Sequence, residues 1–445
     1  MGGTGGGERL LGRGDDKQLP VTLQHRCGAE NVIRKLRYML TRLFFLCMGL
    51  RVSKYRKEVE ALWALPEAER NNELERLLRK YQPLNAAGEE VTSLAKLFSS
   101  PPLSKQTLRE QDSQGSGKKI GRFGRHTAGT TGEPTHVSLS RSELGRMLGV
   151  RDYCFRHYGV KLGEREARLW GRREAGGIKQ IAKNFVMNRR VFHPVGMNSV
   201  KDIEQLLEWS PDYLYGYSSL LLEAARILYS EKVQFNSPRC VVCTAETILP
   251  SQKAFISKVF KAPVAEEYGT TEFDIIAFEC SVGHRHLVNP WLIVSASGDS
   301  ILVSDVSRRS QMLINYQQGD AALIESNSCN KLGDQKEILC LEGRSINRFA
   351  FVTRSDKFHS VAFADELDAY MKKESVIFGF VVLQKDYGVF EIALNTHSLD
   401  GLESIEEYVA NAIEKRTGFK ISVCCTIDNN PFYGKKGYFV QNIHS

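Results

Sequence analysis

From Arg125 to Pro134 the chain reads Arg-His-Thr-Ala-Gly-Thr-Thr-Gly-Glu-Pro. Two glycines and three threonines fall within the six residues Thr127, Ala128, Gly129, Thr130, Thr131 and Gly132. Glycine lets the backbone reach positive φ and come close to a ligand. Successive main-chain N–H groups then form an anion-binding concavity, and the hydroxyls add donors. Lys118, Lys119, Arg122 and Arg125 precede the loop with positive charge. These features describe a loop built to hold a polyphosphate. It is not a Walker A loop, because Gly132 is followed by Glu133 rather than by Lys.

A chain of 445 residues is too long for one hydrophobic core, so at least two domains are expected. The hydrophobic share of 42% and charged share of 25% are ordinary for a soluble globular protein. The net charge of +8 suits anionic ligands such as nucleotides. Its lysines and arginines are scattered rather than striped, which argues against nucleic acid as a partner. No apolar run is long enough to span a membrane; the most apolar stretch, residues 43–50, is too short and lies too deep for a secretion signal. A myristoylation pattern starting at Gly2 fails because position 6 is Gly. Ten widely spaced cysteines point to a reduced, cytoplasmic protein. Cys240 and Cys243 form a CxxC among β-branched neighbours, which reads as a buried strand rather than a redox pair.

Residues 1–52 stand apart as a low-complexity extension. Its start, 1–14, is Gly-rich and reads as disordered, with Met39 and Met48 as alternative chain starts. Helical spacing predicts a helix over 53–82. Residues 104–117 read as a polar linker. Helices are predicted over 139–158, 213–229 and 250–260, the last with Pro250 in its first turn. Strands are predicted at 240–243 and 262–267, and this alternation implies α/β layers. Residues 376–383 and 389–395 read as a hairpin. A helix from Leu402 has acids early, Lys415 and Arg416 late, and Gly418 as its stop. A strand follows at 421–427. The expected fold is therefore a large α/β domain followed by a smaller α+β domain.

Four further signals follow the phosphate loop in order. They are Thr244-Ala245-Glu246, Tyr268-Gly269-Thr270-Thr271-Glu272, Tyr316-Gln317-Gln318-Gly319-Asp320, and Gly343-Arg344. Gly434-Lys435-Lys436-Gly437 comes last. Taken singly, Glu272 reads as a solvated loop carboxylate and Asp320 as a turn residue; Arg344 reads as half of a surface ion pair and Lys435-Lys436 as an exposed basic turn. As an ordered set they resemble the adenylate-forming superfamily. Within it the chain is similar to the phenylacetate–CoA ligase branch, and most to its CapK-type capsule-biosynthesis members. Leu214-Tyr215-Gly216-Tyr217-Ser218-Ser219-Leu220, the Gly159–Gly171 stretch GVKLGEREARLWG and Pro101-Pro102-Leu103-Ser104-Lys105 carry the same resemblance. It covers roughly residues 55–440.

The resemblance implies an α/β adenylation domain over 53–344 and an α+β lid domain over 345–445. It implies ATP and Mg²⁺ as cofactors, with CoA left open. Residues Thr127, Ala128, Gly129, Thr130, Thr131 and Gly132 would hold the β- and γ-phosphates. Ala245 and Glu246 would line the adenine pocket, and Tyr268, followed by Gly269, would pack against the base. Thr271 would reach the α-phosphate and Glu272 would ligate Mg²⁺, a hard ion that takes oxygen donors. Asp320 would accept the ribose hydroxyls, with Arg344 beside it. Lys435, or alternatively Lys436, would be the cation that the lid brings to the reacting groups.

The implied reaction joins a carboxylic acid to AMP, releases pyrophosphate and passes the acyl group to a thiol, amine or sugar, in work on cell-surface polysaccharide. An aryl-CoA ligase and a non-catalytic nucleotide-binding protein are the rival readings. The partners expected are the acid and its acceptor, with a homodimer left open. Two departures from the branch put the second half-reaction in question. Asn315 and Gln317 stand where it has arginines, and Ser345-Ile346-Asn347 where it has an acidic pair. Cys280, His284, His286 and Cys329 raise the question of zinc. Some relatives carry such a cluster ending in Cys-x-Cys-Gly, and that pattern is broken after Cys329, so zinc is not expected; Cys340 is the candidate replacement.

Overall fold

The computed structural model describes residues 28–114, 123–126, 135–171, 177–196, 199–297, 300–326, 328–334, 337–344, 347–396, 401–428, 432 and 437–443. Its centre is a nine-stranded sheet. The spatial order is Asp320–Ser326, Glu337–Arg344, Arg285–Leu287, Asp274–Glu279, Val264–Thr270, Val241–Thr244, Tyr213–Tyr217, Glu166–Leu169, Arg189–Phe192. The last five are parallel to one another. From Val264–Thr270 toward the other edge every pairing is antiparallel. Parallel strands need crossovers, and Ser218–Ser230 and Pro250–Phe260 are two of the helices that supply them. Both faces are then covered, so all four residues of Val-Val-Cys-Thr at 241–244 are buried.

Several expectations are corrected. Residues 213–229 are not one helix: Tyr213–Tyr217 is a strand and the helix runs Ser218–Ser230. Tyr213 and Tyr215 donate across the sheet to Glu166 Oε2 and Glu267 Oε1, each at 2.7 Å. A Cβ on Gly216 would lie 2.3 Å from the Leu169 carbonyl oxygen, so only glycine fits between these strands. The expected linker holds a helix, Lys105–Gln114, with Ser104 Oγ accepting from Thr107 N at 3.0 Å. The helix expected over 53–82 breaks into Val52–Ala64 and Glu67–Tyr81 at Pro66, which cannot donate a helical N–H. Within the first 52 residues, Gly28–Cys47 is helical, buries Thr41 and Phe45, and pairs Arg34 with Asp212 at 2.8 Å.

Toward the C-terminus a four-stranded sheet has the order Ser422–Asp428, Val389–Asn395, Gly379–Asp386, Phe439–Gln441. Helices Val361–Glu374 and Leu402–Thr417 share its core with Phe363, Phe390 and Phe439. This unit is held to the helices of the central sheet by directed contacts. Ser251 N donates to Asp368 Oδ1, Gln252 Nε2 to the Phe378 carbonyl and Arg226 Nη1 to Asn395 Oδ1, all at 2.8 Å.

Candidate functional site

In an open α/β sheet, ligands sit beyond the carboxyl ends of the parallel strands. That edge here carries Ala245 and Glu246 after one strand and Tyr268 to Glu272 at the end of the next. Ala245 has φ of 67°, a left-handed conformation that a residue with a Cβ adopts at a cost of about 1 kcal/mol. Glu246 turns back on the start of the helix Ser218–Ser230; its Oε2 accepts from Ser219 N at 2.9 Å and from Ser219 Oγ at 2.7 Å. The carboxylate thus satisfies a helix N-terminus.

Tyr268 reaches across to the far edge of the site. Its hydroxyl donates to Asp320 Oδ2 at 2.9 Å. Asp320 in turn pairs in register with Arg344 on the neighbouring strand. Three residues that lie far apart in sequence therefore converge. A Cβ on Gly269 would meet the Asp274 carbonyl oxygen at 2.1 Å, so glycine is what lets the turn fold back against the next strand. Thr271 is half-buried at the tip of this turn.

Glu272 is buried. Tyr316 donates to its Oε1 at 2.9 Å, and Arg308 donates to its main-chain carbonyl. Among the described residues Oε2 has no hydrogen bond, so this carboxylate fits the role of an oxygen ligand to Mg²⁺. Burial, reinforced by the charge of Glu272, pushes the Tyr316 phenol well up, so it acts as a neutral donor.

Behind the turn lies a buried charge network. Arg151 reaches Asp274 Oδ1 at 3.0 Å and Glu267 Oε2 at 3.4 Å. Arg125, two residues before Thr127, reaches the same Asp274 oxygen at 3.4 Å. Burial pushes the Asp274 carboxyl up, but Arg151 and Arg125 outweigh it and hold the group below its ordinary value. Glu267 is raised, because burial there prevails over the attraction of Arg151. Arg308, 1% exposed, lies 3.5 Å from Asp305 Oδ2, and its Nε and Nη1 make no hydrogen bond. Arg151, Asp274 and Arg308 are neighbours of the turn that sequence reasoning missed, because the contacts of Arg151 with Asp274 and of Arg308 with Glu272 span 123 and 36 residues; Tyr316 lies in a motif the sequence did single out, but without a role of its own. Trp170 and Tyr217, whose ring centroids are 4.4 Å apart, add an aromatic wall at the same sheet edge.

Not every expected residue can be placed. Thr127, Ala128, Gly129, Thr130, Thr131 and Gly132 lie outside the described residues, as do Lys435, Lys436, and the side chain of Arg344. Asn315, where the branch has arginine, is buried at φ 50°. Its Nδ2 donates to the carbonyls of Leu97 and Ser100, both at 2.8 Å, and its Oδ1 accepts from Ser304 Oγ at 3.1 Å.

Near the antiparallel side of the sheet lies the Cys/His cluster, and it is Cys329 rather than Cys340 that completes it. Cys280, His284, His286 and Cys329 come together, each offering a ligand atom within 4.8 Å of the others. Cys329 is itself a member, and Cys340 is not. The two sulfurs are 3.9 Å apart, close to the roughly 3.8 Å that tetrahedral Zn–S bonds of about 2.3 Å require. His286 is fully buried; its Nδ1 meets the Asp334 carbonyl at 2.7 Å, while its Nε2 has no partner. That backbone contact fixes the tautomer whose free nitrogen can ligate a metal. The donor set fits a closed structural zinc site.

This fold, a sheet parallel in one half and antiparallel in the other with a small α+β unit following it, is that of the AMP-forming ligases. No protein-family model matches the chain. It is 25% identical over 198 residues to Protein CapK of Staphylococcus aureus, a match covering 42% of this chain. The chain spans only 44% of the length of that curated relative. It is similar to 2-hydroxyisobutyryl-CoA ligase in the postadenylation state with R3-HIB-AMP: TM-score 0.67, 14% identity, 86% of this chain and 91% of that one. The open form of that ligase, with 2-HIB-AMP and CoA, superposes at TM-score 0.52, 15% identity, 85% of this chain and 93% of that one.

Proposed function

We propose that this protein is an ATP-dependent, AMP-forming ligase. A carboxylate oxygen of the substrate acid attacks the α-phosphorus of ATP, the bond to the β-phosphate oxygen breaks, and pyrophosphate leaves. An acceptor thiol, amine or sugar hydroxyl then attacks the acyl carbon and AMP departs. The observation that carries this reading is the hydrogen bond from Tyr268 to Asp320, opposite Arg344, at the ligand-binding edge of the sheet. It brings the residue assigned to the base beside the residue assigned to the ribose.

In this reading Asp320 accepts the ribose hydroxyls, Tyr268 and the Ala245–Glu246 backbone flank adenine, and Thr271 donates to the α-phosphate. Residues 127–132 hold the β- and γ-phosphates. Glu272 holds Mg²⁺, which neutralises phosphate charge when bound. Lys435, with Lys436 as the alternative, comes from a lid of residues 345–445 closing on the body of 53–344 and stabilises charge between carboxylate and phosphate. The acyl group lies along Trp170 and Tyr217. The four-ligand Cys/His cluster holds zinc and ties the 280–286 hairpin to the loop carrying Cys329.

The likeness to CapK makes cell-surface polysaccharide the first context to test, with a cytoplasmic enzyme acting on a sugar or sugar-linked amine. Carboxylate-dependent ATP–pyrophosphate exchange tests the reading, with aryl, amino, hydroxy and uronic acids as the panel. Exchange with one class, lost in Lys435→Ala while ATP still binds, supports it. ATP binding without exchange for any acid favours the non-catalytic nucleotide-binding alternative. Exchange with aryl acids and turnover only with CoA favours the aryl-CoA ligase.

A further inference from the structure

The helix Gly28–Cys47 is amphipathic in the reverse of the usual sense. The side that faces the protein carries Arg34 and Thr41 as well as the buried Phe45. Arg34 donates to Asp212 Oδ1 at 2.8 Å and Ser210 O at 2.9 Å, and Thr41 donates to Val186 O at 2.9 Å. The opposite side carries Val32, Leu36, Met39, Leu40, Leu43 and Leu46, each between 47% and 65% exposed. The neighbouring helix Ile178–Val186 continues this surface with Ile178, Ile181 and Phe185, exposed by 61% to 86%. Arg37 joins the two, its guanidinium 3.9 Å from the centre of the Phe185 ring. Contiguous apolar surface spread over two adjacent helices marks a contact face.

Charge decides between the occupants of that face. Arg34 and Arg42 pair with Asp212 and Asp152 in the body, and the two helices carry Lys35, Arg37, Lys179 and Lys183 besides, against one acid, Glu30. A second copy meeting the same patch about a twofold axis would set cations against cations. An anionic bilayer satisfies both properties: the aliphatic side chains enter the acyl boundary, and the cations meet lipid phosphates. No helix among the described residues is long and apolar enough to cross a membrane, so the contact runs along the surface. We propose that this face, formed by 28–47 and 178–186, seats the protein on an anionic membrane surface. The inference is independent of the ligase reading.

Flotation of the full chain with lipid vesicles tests it. The chain is expected to float with vesicles containing phosphatidylglycerol and to stay behind with phosphatidylcholine alone. Leu36→Glu with Leu43→Glu should lower the floating fraction about tenfold or more, because two exposed leucines lose their burial in lipid. The melting temperature should stay unchanged, since both side chains are exposed in the fold. Lys35→Glu with Lys183→Glu should weaken binding to anionic vesicles while leaving the apolar face whole. No flotation of the unaltered chain, or equal flotation of the double-leucine variant, overturns the proposal. So does a dimer in light scattering that the leucine substitutions split, which would assign the face to a second copy.

Discussion

The Tyr268 hydroxyl donates to Asp320 Oδ2 at 2.9 Å, joining two strands that lie well apart in the central sheet. The bond holds a ring and a carboxylate in a fixed relation before any nucleotide is present. Tyr268→Phe keeps the ring and removes the donor. Its expected effect is a weakening of ATP binding by about fivefold, the worth of roughly one hydrogen bond. Asp320→Ala removes the proposed acceptor of the ribose hydroxyls as well and should weaken it by at least about tenfold. Titration calorimetry with ATP checks both, and equal affinity in Asp320→Ala and the unaltered chain would remove Asp320 from the site.

The buried pair of Arg151 and Asp274 makes a prediction about acid stability. Asp274 has its pKa lowered in the fold, so it contributes stability above its ordinary value of 3.8 that is lost as pH falls below it. Glu267 runs the other way: its raised pKa means that its charge costs stability at higher pH, and protonation relieves that cost. Asp274→Asn should therefore flatten the fall in melting temperature below about pH 4. Arg151→Met leaves buried Glu267 without its cation and Asp274 with Arg125 alone, and should cost about 3–5 kcal/mol at neutral pH. Denaturant unfolding at several pH values reads both.

Asn315 replaces an expected arginine for a reason the packing makes plain. Its amide satisfies two carbonyls and a hydroxyl in a buried site at left-handed φ, a conformation that asparagine tolerates well. Asn315→Ala leaves those groups unpaired and should cost about 2–4 kcal/mol. Asn315→Arg adds a buried cation and should destabilise more. If thermal unfolding showed Asn315→Arg to be as stable as the original, the residue would be a functional departure rather than a structural one.

These residues also show where sequence stops informing. The helix Pro250–Phe260 was legible residue for residue because Pro250 marks its first turn and the apolar spacing is local. The joint between Tyr217 and Ser218 was hidden because Leu-rich sequence runs on past it, and the close pairing of Gly216 with Leu169 that marks Tyr213–Tyr217 as a strand is made between distant parts of the chain. Glu272 and Asp320 were visible because each sits in a short motif. Arg151 and Arg308 were not, since their partners lie 123 and 36 residues away.

The Cys/His cluster was half legible. Cys280, His284 and His286 are neighbours in sequence, but Cys329 is 49 residues from Cys280 and lacks the flanking pattern expected of it. The fold supplies what that pattern omits, by bringing the loop after Asp320–Ser326 against the 280–286 hairpin. Elemental analysis of the purified full chain should find one zinc ion per chain. Cys329→Ser and His286→Ala should each release it, and Cys340→Ser should retain it, because Cys340 is outside the ligand set. Removal by a chelator should lower the melting temperature, since a closed Cys/His site adds its binding free energy to folding. Re-addition of zinc should restore it. A metal-free chain that melts at the same temperature with and without added zinc would leave the four residues as a packing cluster and remove the metal from the account.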